Sequence, residues 1–112
     1  MKSFLKESYN IKFDRIDKLP GYDIENFVGS FNNSKYIIKK YPYSKHIINQ
    51  INSENKLLIH LNLKNSIYPK PIKNRNSEYF EIYNRGKNTY VVRLLSFLNG
   101  TFLGDINQTK KI

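Results

Sequence analysis

The most constraining feature of this sequence is a short predicted strand that ends in a lysine, followed by a long predicted helix that carries a glutamate in its apolar stripe. Tyr36-Ile37-Ile38 leads into Lys39 with the aromatic and β-branched residues typical of strands. Glu54 lies three residues after Ile51 and four before Leu58, so the three share one side of a helix. A carboxylate that points at a core is costly unless a cation pairs with it.

Lys39 is the cation that we expect to neutralise Glu54. A long element that follows a strand tends to pack on the sheet to which that strand belongs, which would bring the two side chains together. A small rotation of the helix would instead leave Glu54 at the rim of the core, in water. The apolar pattern of the helix, which is carried by Ile47, Ile51, Leu58 and Leu61 and widened by Ile48, is compatible with both orientations.

Length and composition limit the class of protein. The chain has 112 residues, enough for one small domain with a modest core. It has no cysteine, which rules out disulfides and thiolate metal sites and fits a reducing compartment. Its first residues lack the apolar run of a signal peptide, and no stretch approaches the ~20 apolar residues of a membrane span. We therefore expect a soluble, cytoplasmic protein with no membrane partner.

The net charge of +10 raises the question of a nucleic-acid partner. The basic residues are scattered, however, and Lys, Asn and Ile together make up 44 of the 112 residues. All three have A/T-rich codons, so biased base composition explains the excess of lysine without a binding surface. We expect most of the charge to lie on solvated surface, and a small basic nucleic-acid-binding module is kept as an alternative.

Strand and helix signals follow one another along the chain in an α+β order. A long helix is predicted from an N-cap at Ser44 to about Asn62 or Lys64, and a short helix over 3–9 with Ser3 as its cap. The prolines of the segment 68–71 indicate an extended linker. Arg93 is the only charge in the last apolar run, which indicates a central strand buried on both faces. Strands are predicted over 13–19, 26–31, 35–41, 78–83 and 89–98, giving a five-stranded antiparallel sheet with one long packed helix.

Four segments of the chain, residues 19–27, 36–39, 69–72 and 92–101, together resemble the aminoglycoside phosphotransferase and choline kinase-like family of small-molecule kinases, in particular its hydroxylysine kinase branch. The resemblance covers about residues 9–106, and its longest ungapped part is the last segment. It implies the fold of a protein kinase-like N-terminal lobe. The segments are Leu19-Pro20-Gly21-Tyr22-Asp23-Ile24-Glu25-Asn26-Phe27, Tyr36-Ile37-Ile38-Lys39, Pro69-Lys70-Pro71-Ile72 and Val92-Arg93-Leu94-Leu95-Ser96-Phe97-Leu98-Asn99-Gly100-Thr101.

The resemblance implies that eight residues bind ATP. Lys39 would pair with the α- and β-phosphates and be oriented by Glu54, and Asn26 would help to cover the phosphates. The other five would surround the adenine. Val28 and Ile37 would form an apolar roof, although plain core packing is an alternative for these two. Ser96, Phe97 and Leu98 would form a hinge whose backbone reads the adenine edge.

The catalytic residues of such kinases have no counterpart in the sequence. Phosphoryl transfer in the family needs an aspartate in a His-x-Asp-x-x-x-x-Asn loop and an acidic motif for Mg²⁺. Neither His46 nor His60 is followed two residues later by Asp. We therefore expect residues 1–112 to form a single nucleotide-binding lobe of a truncated or split kinase, with no catalytic or metal residues and with Mg²⁺ bound only when a C-terminal lobe complements it.

Such a lobe should expose the apolar face that normally meets its second lobe. We expect this face to include Phe97, Leu98, Phe102 and Leu103, and to drive self-association or binding to a separately encoded C-terminal lobe. A noncatalytic interaction scaffold built on the same lobe is a further alternative.

Overall fold

The computed structural model of the chain describes residues 1–21, 24–65 and 67–97. They form an α+β fold in which one antiparallel sheet of six strands carries a helix on each face. The elements in chain order are α1 (Lys2–Tyr9), β1 (Arg15–Leu19), β2 (Glu25–Phe31), β3 (Ser34–Pro42), α2 (Lys45–Lys64), β4 (Pro71–Ile72), β5 (Glu81–Arg85) and β6 (Asn88–Ser96).

The last strand lies in the middle of the sheet. The strand order is β1-β2-β3-β6-β4, and β5 also pairs with β6. Strand β6 therefore pairs with β3 along one edge and with β4 and β5 along the other. The side chains from Val91 to Leu95 are all buried, as predicted for a central strand covered on both faces.

Two asparagines form the tight turn between β2 and β3. Asn32 and Asn33 both have positive φ angles, 48° and 65°. Two left-handed residues in succession give a hairpin turn whose twist matches that of the flanking strands, and asparagine tolerates this conformation better than most residues.

Two parts of the second half of the sheet differ from the prediction. Strand β4 was expected to be an extended linker, which makes the sheet six-stranded instead of five-stranded. It has only two residues, and Pro71 cannot donate a ladder hydrogen bond, so β4 gives no strand pattern and lies at an edge. Strand β5 begins three residues later than expected, because Glu78 belongs to a loop closed by the backbone bond from Asn74 N to Glu78 O, 2.7 Å.

Alternating residues of the sheet form two cores on its opposite faces. On one face, α1 packs through Leu5 and Tyr9 against Ile38 and Val92. On the other, α2 packs through Ile51 against Tyr41 and Val91. Phe13, Phe27 and Leu94 complete the buried part of the first core, and Ile24, Ile47, Ile48, Phe80 and Ile82 surround the second.

The two helices begin differently. Helix α2 has the predicted cap, since Ser44 Oγ accepts a hydrogen bond from the Ile47 amide at 3.0 Å. In α1 the prediction of Ser3 as the cap is wrong, because the helix already begins at Lys2 after Met1 and has no side-chain cap. Within the described parts of the chain, no helix is long and apolar enough to cross a bilayer.

Candidate functional site

A row of three polar side chains crosses the middle of the sheet on the face that α2 covers. Asn26 in β2 lies directly opposite Lys39 in β3, and Lys39 lies directly opposite Arg93 in β6. Residues that face one another across antiparallel strands point to the same side of the sheet, with Cβ atoms roughly 5 Å apart. The polar row, as we call Asn26, Lys39 and Arg93, therefore forms one continuous strip.

Lys39 and Asn26 are joined within the polar row. The Lys39 ammonium donates to Asn26 Oδ1 at 3.0 Å, and Asn26 Nδ2 donates to the carbonyl of Ile24 at 3.0 Å. Asn26 is completely buried. Since both ends of its amide are engaged, Asn26 holds the lysine head group in a fixed position on the sheet.

All three guanidinium nitrogens of Arg93 have partners, two of them on α2 and one on β3. Nη2 forms an ion pair with Glu54, Nη1 donates to Asn55 Oδ1 at 3.0 Å, and Nε donates to the Tyr41 hydroxyl at 3.0 Å. The Arg93 side chain is 4% exposed and that of Glu54 is 42% exposed. The arginine is thus buried, while the carboxylate lies at the border between core and solvent.

The sequence left two orientations of Glu54 open, and the structure combines features of both: the carboxylate is at the border with solvent, and it forms an ion pair with a cation on the sheet. The predicted cation was Lys39, whereas the ion pair in the structure is with the residue opposite it, Arg93. A guanidinium has a planar fork of five donors and can satisfy a carboxylate, an amide and a hydroxyl at once, which an ammonium on a flexible stem does less well. The sequence did contain a signal for this pair: Arg93 is the only charge in a strand that is buried on both faces, and a buried cation needs an anion.

The remaining acceptors and donors around Arg93 complete a network. Gln50, one turn earlier in α2, donates through Nε2 to Glu54 Oε2 at 3.2 Å. Burial raises the pKa of Tyr41, although the nearby Arg93 guanidinium acts in the opposite direction. Asn55 is buried, and its Nδ2 has no hydrogen-bond acceptor among the described residues.

An apolar row lies next to the polar row on the same face. Val28, Ile37 and Leu95 are directly opposite one another on β2, β3 and β6, two residues along each strand from the polar row. Val28 is half-buried, and Ile37 and Leu95 are buried. The structure thus brings the two predicted adenine-roof residues together beside Lys39.

The predicted hinge begins where β6 ends. The Ser96 amide donates to the carbonyl of Lys70 at 2.9 Å, and the Phe97 amide donates to the carbonyl of Lys35 at 3.1 Å. Both N–H groups are therefore used within the fold and would have to break these bonds to read a base. Leu98 lies outside the described residues, as do Phe102 and Leu103 of the predicted apolar face and Tyr22 and Asp23 of the first hairpin.

No group of metal ligands stands out in the described ranges. Within them, no three His, Cys, Asp or Glu side chains come close enough to hold a metal ion. His46 and His60 are both exposed on α2. The chemistry that this face can support is therefore the binding and orientation of charged or hydrogen-bonding groups.

A scan against protein-family models and a search of the curated proteins found no match to this chain.

Proposed function

We propose that this chain is the ATP-binding lobe of a small-molecule phosphotransferase of the aminoglycoside phosphotransferase or hydroxylysine kinase-like type, and that it is not catalytic by itself. The observation that carries the proposal is the polar row. It places Lys39 of the third strand beside Arg93, and Arg93 is in turn paired with Glu54 of the helix that follows that strand.

The order of the elements supports this proposal. Kinase-like lobes carry a phosphate-binding lysine on their third strand and a glutamate on the helix that packs against it. Here Lys39 belongs to β3 and is bonded to Asn26, and Glu54 belongs to α2 and is paired with Arg93, the residue directly opposite Lys39. The described residues of the segments that resemble the hydroxylysine kinase branch contribute to β1, β2, β3, β4 and β6.

The binding chemistry follows from two adjacent rows. The Lys39 ammonium would pair with the α- and β-phosphates, and Asn26, to which it is bonded, would keep it in place. The apolar row would provide the surface for the adenine, because Val28 and Ile37 lie next to Lys39 on the same face. The transfer step would need an aspartate base and bound Mg²⁺ from a second lobe.

Two other functions remain as alternatives. A basic nucleic-acid-binding module should display aromatic side chains on an exposed sheet face. Among the described residues, Tyr43 is the only exposed aromatic, and this observation favours the nucleotide over the nucleic acid as partner.

A noncatalytic interaction scaffold is favoured by the exposed apolar side chains of Leu57, Leu63 and Ile67. Self-association and binding to a separate C-terminal lobe stay predictions.

Calorimetric titration of the 112-residue chain with ATP tests the proposal. Lys39→Ala should weaken binding about tenfold, because one charge-assisted contact to phosphate is lost. Lys12→Ala removes the same charge from an exposed position near α1 and should leave the affinity within about twofold of the wild-type value. The proposal is rejected if the wild-type chain binds no ATP at millimolar concentration, or if both variants bind it equally well.

A further inference from the structure

We propose that Arg93 is a positioning residue for the nucleotide site, which fixes α2, and with it Glu54, against the face of the sheet that carries Lys39. This inference rests on the proposed function, because the site that Arg93 would organise is the ATP site. What it adds is a role for a residue that neither the strand pattern nor the family resemblance marked as part of the site.

The contacts of Arg93 are shared between two elements. One nitrogen holds Tyr41 on β3, and the other two hold the consecutive residues Glu54 and Asn55 on α2. A planar group that is bonded in three directions restricts both the rotation and the translation of the helix. Arg93 therefore holds the helix in one position relative to the sheet.

The apolar contacts of α2 cannot provide the same restriction. Ile47, Ile48 and Ile51 pack against the face around Tyr41 and Val91. Hydrophobic burial is non-directional, so these contacts alone specify the rotation and translation of the helix less sharply than hydrogen bonds do. Directional hydrogen bonds from a buried guanidinium select one arrangement.

Burial explains why this role requires an arginine. Arg93 is 3% exposed, so each of its donors must find an acceptor in the protein. A lysine at this position would keep the positive charge but could not donate along the same three directions. The cluster also orients Asn55, because the contact from Nη1 fixes which end of its amide faces the sheet.

The link to the proposed site is the register of the strands. Arg93 lies directly opposite Lys39, so any movement of the guanidinium or of the helix bonded to it changes the surroundings of the lysine. The position of Glu54 relative to Lys39 is therefore set through Arg93. A substitution that removes the guanidinium should lower the affinity for the nucleotide.

The test combines ATP affinity with the position of α2. Arg93→Lys keeps the charge and removes the fork, and it should bind ATP about tenfold more weakly. Val92→Ala is the matched control, because Val92 is the neighbouring residue of the same strand and its side chain packs with α1 on the opposite face. The substitution should lower the stability of the fold without changing a contact to α2. Its ATP affinity should stay within about twofold of wild type when measured well below its unfolding temperature.

The second readout is the NMR chemical shifts of the backbone amides of Glu54 and Asn55 in the absence of ATP. They should move in Arg93→Lys and stay unchanged in Val92→Ala. Tyr41→Phe, which removes only the hydroxyl that meets Nε, should move the same amides less and weaken ATP binding in the same direction. This variant decides the question if Arg93→Lys does not fold.

Two results would overturn the inference. One is equal ATP affinity for Val92→Ala and Arg93→Lys, which would reduce the effect to a loss of stability. The other is an unchanged position of the α2 amides in both Arg93→Lys and Tyr41→Phe. If the wild-type chain binds no ATP, the proposed function fails, and the amide shifts alone decide whether Arg93 positions Glu54.

Discussion

Arg93 is the residue that most changes the interpretation of the sequence. The helical period of α2 left Glu54 either facing the core or at its rim, and in the structure the carboxylate lies at the border and pairs with Arg93. The identity of its partner depends on which strand lies next to β3. That pairing joins segments separated by the whole of α2, and no local pattern in the sequence encodes it.

Gly29 is a residue at which a single methyl group should matter. A Cβ atom there would lie 2.6 Å from two carbons of the Phe13 ring, which is buried and cannot move aside easily. Gly29→Ala should therefore lower the free energy of unfolding in urea by about 1–3 kcal/mol. In a Phe13→Leu background the smaller, flexible side chain should reduce this loss, and an equal loss in both backgrounds would show that the ring is not the cause.

The pKa of Tyr9 and of Tyr41 is raised in the folded chain, so both should ionise at higher pH than an exposed tyrosine. Burial raises the pKa of both above the usual value of 10.0; Glu81 adds to the effect at Tyr9, and Arg93 opposes it at Tyr41. Because the folded pKa is the higher one, the stabilisation from each tyrosine is complete below pH 10.0 and declines as the pH rises through the folded value. In an ultraviolet titration, Tyr9→Phe and Tyr41→Phe should each show a smaller absorbance change from tyrosines that ionise at high pH than the wild-type chain. An unchanged absorbance change in both variants would contradict the burial of these tyrosines.

Helix α2 is the element that the sequence predicts best. Its cap, its apolar stripe and its end at Lys64 all follow from short-range rules about caps and periodicity. The short strand β4 and the start of β5 could not be predicted in the same way. Their pairing depends on β6, and the loop around Asn74 that delays β5 is built from hydrogen bonds that leave no periodic pattern.

The cap of α2 gives a prediction at the scale of the element. Ser44→Ala removes the hydroxyl that accepts from the Ile47 amide and should lower the free energy of unfolding by about 1 kcal/mol. Ser53→Ala, at an exposed position inside the same helix, should be neutral or slightly stabilising, because alanine is the better helix former. Urea denaturation of both variants measures the difference, and equal stability would mean that the cap contributes nothing.

At the scale of the whole molecule, the sheet separates two kinds of surface chemistry. The α1 face has an aromatic and aliphatic core together with the buried Lys40, which pairs with Glu25 at 3.3 Å, whereas the α2 face combines an apolar core with the polar row and its link to Glu54. The α+β class and the succession of three strands, a long helix and further strands were predicted from local signals. The central place of β6, which assembles the polar row, arises only when the complete sheet forms.

The most direct measurement is an NMR titration of the chain with ATP, which locates the nucleotide by the amides that it perturbs. We expect shifts to concentrate on residues 26–28 and 37–39, which flank the polar and apolar rows, and to disappear in Lys39→Ala at the same ATP concentration. Equal shifts in the wild-type and Lys39→Ala chains, or shifts confined to the α1 face, would contradict a phosphate site at Lys39.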